Sequence, residues 1–119
     1  SEEGEIEMNK YAIFAFRGNP MCFVHVLLNA LDMDSKGMDA KIVIEGEAVA
    51  LLKEMEESGN PLYKKAKEKK LIDAICKGCS AKMGVLEYNS TTGIPLVGDM
   101  GGHPSMSSYI EKGYQILTL

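Results

Sequence analysis

No apolar run in this chain approaches the roughly 20 residues that a membrane-spanning helix requires. The longer ones, such as Phe23 to Leu31, are interrupted by His25 and Asn29. No membrane association is expected. An excess of positive charge is also missing: 13 Lys and Arg stand against 17 Asp and Glu, leaving a net charge of -4. Such a surface repels phosphate backbones and anionic headgroups, so direct nucleic-acid binding is not expected. The densest basic stretch, Lys64 to Lys70, reads as a solvated helix face. Neither a G-x-G-x-x-G nor a P-loop pattern occurs, and nothing points to a nucleotide specifically. Cysteine is scarce and odd in number, three residues without disulfide-framework spacing. Reduced thiols in a reducing compartment, and hence a cytoplasmic location, are the expectation. There is no low-complexity segment and no internal repeat. The start, Ser1 to Glu7, is acidic, the reverse of a targeting segment; residues 1–9 read as an acidic, disordered lead.

What is present is a chain of 119 residues with 45% hydrophobic composition, enough to bury a core in one domain over 10–119. Lys10 to Arg17 is apolar and rich in aromatic and branched residues, which predicts a strand covered on both faces. Gly18-Asn19-Pro20 then supplies an N-cap and a proline at the first helical position. The spacing of Phe23, Val24, Leu27, Leu28 and Leu31 predicts a helix, ended at Gly37. Ala40 to Ile44 is a second strand and Glu47 to Glu57 a second helix. Asn60-Pro61 repeats the cap signal before a short basic helix reaching about Lys70. Leu71 to Cys76 is a third strand, followed by a helical turn around Ser80 to Met83. The pattern weakens from Val85 to Gly102, where Ile94 to Val97 reads as a short edge strand and Gly101-Gly102 as irregular. A helix from His103-Pro104 to Lys112 and a last strand from Tyr114 to Leu119 complete the alternation. The order predicts an α/β protein, a three-layer α/β/α sandwich around a mostly parallel sheet of about five strands.

In such folds ligands bind beyond the carboxyl ends of the strands. The first strand delivers Gly18, Asn19 and Cys22 there; the second Glu45 and Glu47; the third Cys76 and Cys79; the fourth Asp99, Gly101, Gly102 and His103. Cys76-Lys77-Gly78-Cys79 carries the most weight. A thiol between a strand end and a helix start, beside a lysine, has two features that lower its pKa and favour the reactive thiolate.

Several segments, taken in order, resemble the DsrE/DsrF-like (YchN-like) family of sulfur-relay proteins. They are the Lys10 to Arg17 strand with its long helix, the run Ile75-Cys76-Lys77-Gly78-Cys79-Ser80-Ala81-Lys82-Met83-Gly84, and the tail Gly113-Tyr114-Gln115-Ile116-Leu117-Thr118-Leu119. The resemblance implies a DsrE-like sandwich and a persulfide carrier, sulfurtransferase-like in its chemistry. Cys76 would accept sulfane sulfur as Cys–S–SH, with Cys79 resolving it, and sulfur donor and acceptor proteins would be the partners. It also implies a homo-oligomer, and no cofactor. Cys79 and the Asn19-Pro20-Met21-Cys22 segment depart from the best-known relay subunits. Asn19, Cys22, Gly101, Gly102 and His103 are the candidate substrate-binding residues.

Other readings compete. Cys76, Cys79, Cys22 and His103 form a donor set suited to tetrahedral zinc, although only one pair is local in sequence. A thioredoxin-like oxidoreductase is disfavoured because its C-x-x-C normally follows the first strand of the core unit. A non-catalytic ligand- or protein-binding module is the plainest alternative. His25, within an apolar helix stretch, is expected to pack with a hydrogen bond.

Overall fold

The computed structural model describes residues 9–119, so the lead read at residues 1–9 lies, apart from Asn9, outside the described residues. Strand β1 spans Lys10–Ala15. Its Ile13 and Ala15 enter one core cluster and its Ala12 and Phe14 another, all within 2% of complete burial, as a strand covered on both faces requires. Asn19 Oδ1 accepts from the backbone N–H groups of Met21 (2.8 Å) and Cys22 (3.1 Å), and helix α1 runs from Pro20 to Ser35. Strand β2 (Asp39–Ile44) pairs in parallel with β1, from Lys10 opposite Asp39 to Ala15 opposite Ile44.

The expected helix after β2 begins as a 3₁₀ segment, Gly46–Leu51, and becomes α-helical only over α2, Leu52–Glu57. Ala48, Val49, Leu51 and Leu52 are all buried, a distribution wider than one α-helical stripe, which the tighter winding accommodates. Asn60 Oδ1 accepts from Leu62 and Tyr63 N–H, both at 3.0 Å, to start α3 (Pro61–Glu68). Then come β3 (Ile72–Cys76), α4 (Lys77–Lys82), α5 (Leu86–Asn89), β4 (Leu96–Val97), α6 (Met106–Glu111) and β5 (Gln115–Thr118). Two expectations are corrected here. The last helix opens at Met106 and not at His103-Pro104, and the weakly patterned region contains the one-turn helix α5.

The sheet order is β4-β3-β2-β1-β5, and every pairing is parallel, where a mostly parallel sheet was expected. The chain steps outward from β1 to β4 with its helices on one face, where Phe23, Leu27, Leu52, Tyr63 and Ala66 pack against Ile13, Ile42, Ile44 and Ile75. It then returns to β5, on the other side of β1, by way of α6, whose Tyr109 covers Ala12, Phe14, Val43 and Ala74 on the opposite face.

Tyr109 meets the Phe14 ring edge-on at 5.6 Å, and its hydroxyl donates to Asp73 Oδ2 at 2.5 Å. Burial and that carboxylate push the phenol well above its ordinary pKa. Tyr63, 2% exposed, is raised in the same way by burial and by its bond to Glu56. Both phenols therefore keep their protons in the folded chain at pH values where an unfolded tyrosine, with a pKa of about 10, loses them. The unfolded state then binds fewer protons than the folded one. Stability is expected to be full below pH ~10 and to fall above it, by roughly 1 kcal/mol per pH unit for each phenol. Urea titrations across the alkaline range check this, and a flat profile contradicts it. Among the described residues no helix is long and apolar enough to cross a membrane.

Candidate functional site

Two strand ends, one helix turn and one glycine-rich loop bring four donor groups together. Glu45 is the residue after β2, Cys76 is the last residue of β3, Cys79 lies in the first turn of α4, and His103 follows the loop after β4. Cys76 caps α4 through its sulfur: the Cys79 backbone N–H donates to Cys76 Sγ at 3.3 Å. The same turn is anchored from below. Ser80 Oγ donates to the Cys76 carbonyl at 2.8 Å, and Asn89 Nδ2 donates to Ser80 Oγ and to the Val49 carbonyl, both at 3.0 Å, all inside the core.

From above, the turn is held by the loop carrying His103. Gly101 (φ +59) and Gly102 (φ +96) form a tight two-residue turn closed by paired backbone bonds between Met100 and His103 at 2.8 and 3.1 Å. Two successive positive φ values are the signature of a type I′ turn, which glycine adopts without strain. The Gly102 carbonyl accepts from Gly78 N–H at 2.6 Å and from the Cys76 thiol at 3.7 Å. A Cβ on Gly78 would come to 2.8 Å from that carbonyl oxygen, so the C-x-x-C turn docks on the loop only because residue 78 lacks a side chain.

His103 Nδ1 consequently sits 3.0 Å from Cys76 Sγ, 3.6 Å from Cys79 Sγ and 3.8 Å from Glu45 Oε1. The Cys79 thiol donates to Glu45 Oε1 at 3.5 Å. All four donor atoms lie within 4.8 Å of one another. Cys76 is completely buried. Burial first, then its hydrogen bond with Cys79 and the negative Glu45, push its thiol up to about 12, against the opposing pull of the Cys79 amide. This corrects the expected lowered pKa. The Lys77 side chain points to solvent, and the desolvated surroundings of β3 outweigh the helix start. Cys76 is a neutral thiol near neutral pH.

Access lies with its neighbour. A cavity of about 530 Å³ opens beside the cluster, lined by Phe16, Glu45, Cys79, Met100, His103 and Met106, and Cys76 is not on its wall. The remaining candidates fall elsewhere. Cys22 lines a separate cleft of about 440 Å³ with Phe16, Arg17, His25, Thr118 and Leu119, and Glu45 occupies the fourth place given to Cys22 in the zinc reading. Asn19 is exposed and committed to capping α1. Gly101 and Gly102 shape the turn rather than contribute side chains. His25 is exposed on α1, contrary to the expected packing role. Asp99 clamps the loop by accepting from Ser105 N–H at 3.1 Å. Glu45 was legible as a rim residue but had no partner in the sequence to suggest its role. Ser80 and Asn89 gave no signal of theirs.

No protein-family model and no solved structure matches the chain. The uncharacterized protein MJ0733 of Methanocaldococcus jannaschii is 32% identical over 101 residues, covering 85% of this chain and 83% of the relative. An uncharacterized protein of Archaeoglobus fulgidus is 40% identical over 42 residues, 35% of this chain and 69% of the relative. With that identity sustained over nearly the whole of both chains, this protein belongs to the family of the Methanocaldococcus jannaschii protein MJ0733.

Proposed function

We propose that the protein is a sulfane-sulfur carrier in which Cys79 receives the sulfur, Cys76 resolves it and His103 takes up the proton. The observation that carries this reading is the stacking of roles by depth. Cys79 faces the cavity, while His103 Nδ1 lies 3.6 Å from its sulfur and 3.0 Å from that of the buried Cys76. The resemblance to DsrE/DsrF-like proteins supports the same chemistry, with the receiving sulfur moved from Cys76 to Cys79.

In the first step His103 Nδ1 accepts the Cys79 proton, and the thiolate attacks the outer sulfur of a donor persulfide R–S–SH. The donor S–S bond breaks, R–S⁻ leaves and takes up a proton, and Cys79–S–SH remains. An acceptor thiolate then attacks the outer sulfur and frees Cys79. Where no acceptor is present, His103 Nδ1, free again once R–S⁻ has taken up its proton, accepts the Cys76 proton across 3.0 Å, and the resulting thiolate attacks Cys79 Sγ, expels HS⁻ and closes a Cys76–Cys79 disulfide; the two thiols are oxidised and the sulfane sulfur is reduced to sulfide. An external dithiol resets the pair.

Intact-mass spectrometry tests the reading on reduced, chelator-treated protein incubated with inorganic polysulfide. The expected result is a gain of about 32 Da, one sulfur atom, on Cys76→Ser, which lacks the resolving thiol, and a loss of about 2 Da on the wild type as the disulfide closes; neither change occurs in Cys79→Ser, and Cys22→Ser behaves as the wild type. No adduct on folded Cys76→Ser, or one that persists in Cys79→Ser, overturns it.

A further inference from the structure

The geometry points to a second capability of these side chains: Cys76 Sγ, Cys79 Sγ, His103 Nδ1 and Glu45 Oε1 form a four-donor site for a zinc-like divalent cation. It does not depend on the sulfur-carrier reading. In tetrahedral zinc centres, bonds of about 2.3 Å to sulfur and about 2.0–2.2 Å to nitrogen and oxygen place neighbouring donors roughly 3.3–3.8 Å apart. The measured separations are 3.0 Å (Cys76 to His103), 3.6 Å (Cys79 to His103), 3.5 Å (Cys79 to Glu45) and 3.8 Å (His103 to Glu45). Four of the six donor–donor edges are thus within a few tenths of an ångström of those of a tetrahedron, and the other two, Cys76 to Cys79 and Cys76 to Glu45, are no longer than 4.8 Å.

The chemistry of the set selects the ion. Two thiolates and an imidazole favour borderline-soft metals, and calcium and magnesium, which take oxygen ligands, are disfavoured. The surroundings suit the loaded form as well. The Cys79 backbone N–H already points at Cys76 Sγ, and such a bond steadies a metal thiolate. Glu45 is 6% exposed, and a cation would give this buried carboxylate a full counter-charge. Loading forms two metal–sulfur bonds and releases the two thiol protons to solvent. Both sulfurs are then occupied, so the metal-loaded protein is expected to refuse sulfane sulfur.

Anaerobic titration of the reduced full-length protein with Co²⁺ tests the site, with no sulfur donor present. The expected result is thiolate-to-cobalt charge transfer and tetrahedral ligand-field absorption that saturate at one equivalent and are displaced by Zn²⁺. Glu45→Gln and His103→Ala should each weaken binding by roughly 100-fold, at or beyond the upper end of losses from outer-shell partners. Cys22→Ser should bind as the wild type does. These variants leave Cys76 in the core, and circular dichroism verifies their folding. Absence of charge transfer in folded wild type, binding indifferent to either substitution, or binding lost in Cys22→Ser overturns the proposal. A failed cobalt titration leaves polysulfide loading of chelator-treated protein unaffected, and the reverse also holds, so the two readings fail separately.

Discussion

Gly78→Val is expected to dismantle the centre while leaving the sheet folded. A Cβ at this position meets the Gly102 carbonyl oxygen at 2.8 Å, the Gly102 carbonyl carbon at 3.3 Å and His103 Cε1 at 3.5 Å. The obstruction is backbone in a two-residue turn, which cannot swing aside as the end of a long side chain can. Relief comes only by separating the loop from α4, and that breaks the 2.6 Å bond from Gly78 N–H to Gly102 and carries His103 away from both sulfurs. Overpacking of this kind costs about 1–3 kcal/mol, tolerable for a domain whose main core lies beneath the helices. The expected outcome is at least a tenfold loss in both polysulfide loading and cobalt affinity, with far-UV circular dichroism unchanged. Wild-type loading by this variant contradicts the docking described here.

Asn89→Ala is expected to destabilise the fold by about 2–4 kcal/mol, read as a lowered urea midpoint with an unchanged slope. Asn89 is 1% exposed and is the buried donor that ties Ser80, in the C-x-x-C helix, to Val49 in the 3₁₀ segment. Its removal leaves the Val49 carbonyl and the Ser80 hydroxyl one partner short in a medium that cannot supply water, and adds a small cavity. Asn89 Oδ1 already lacks a hydrogen-bond partner among the described residues. Asn89→Asp is therefore expected to be worse than alanine, because it trades the two donated bonds for a charge with no counter-ion. Alanine and aspartate variants as stable as the wild type contradict the anchoring role of this network.

Much of the fold was legible because its signals are local. Asn19-Pro20 and Asn60-Pro61 fix helix starts through a side-chain cap and a preset φ, and both caps form as read. Lys10 to Arg17, apolar almost throughout, reads as a central strand, and β1 indeed lies between β2 and β5. The features that escaped depend on contacts distant in sequence. Helix α5 is one turn long, too short for periodicity, and is held by the Asn89 bonds to Val49 and Ser80. Gly101-Gly102 reads as an absence of structure, yet two glycines at positive φ make the tight turn that aims His103. The depth of Cys76 was invisible for the same reason. A thiol at a strand end is exposed or sealed according to what covers it, and the cover is a carbonyl 26 residues onward. Cys22 shares the rim by topology, but α1 turns it into the cleft beside Arg17 and His25, and Glu45, with no motif to mark it, completes the cluster.

The central claim is that Cys79 is the reachable thiol of this centre and Cys76 the sealed one. Its most direct measurement is peptide-mapped alkylation of the native reduced protein by a small iodoacetamide reagent. Label is expected on Cys79 within minutes and on Cys76 only after denaturant unfolds the chain. Native labelling of Cys76 as fast as Cys79 would contradict the account.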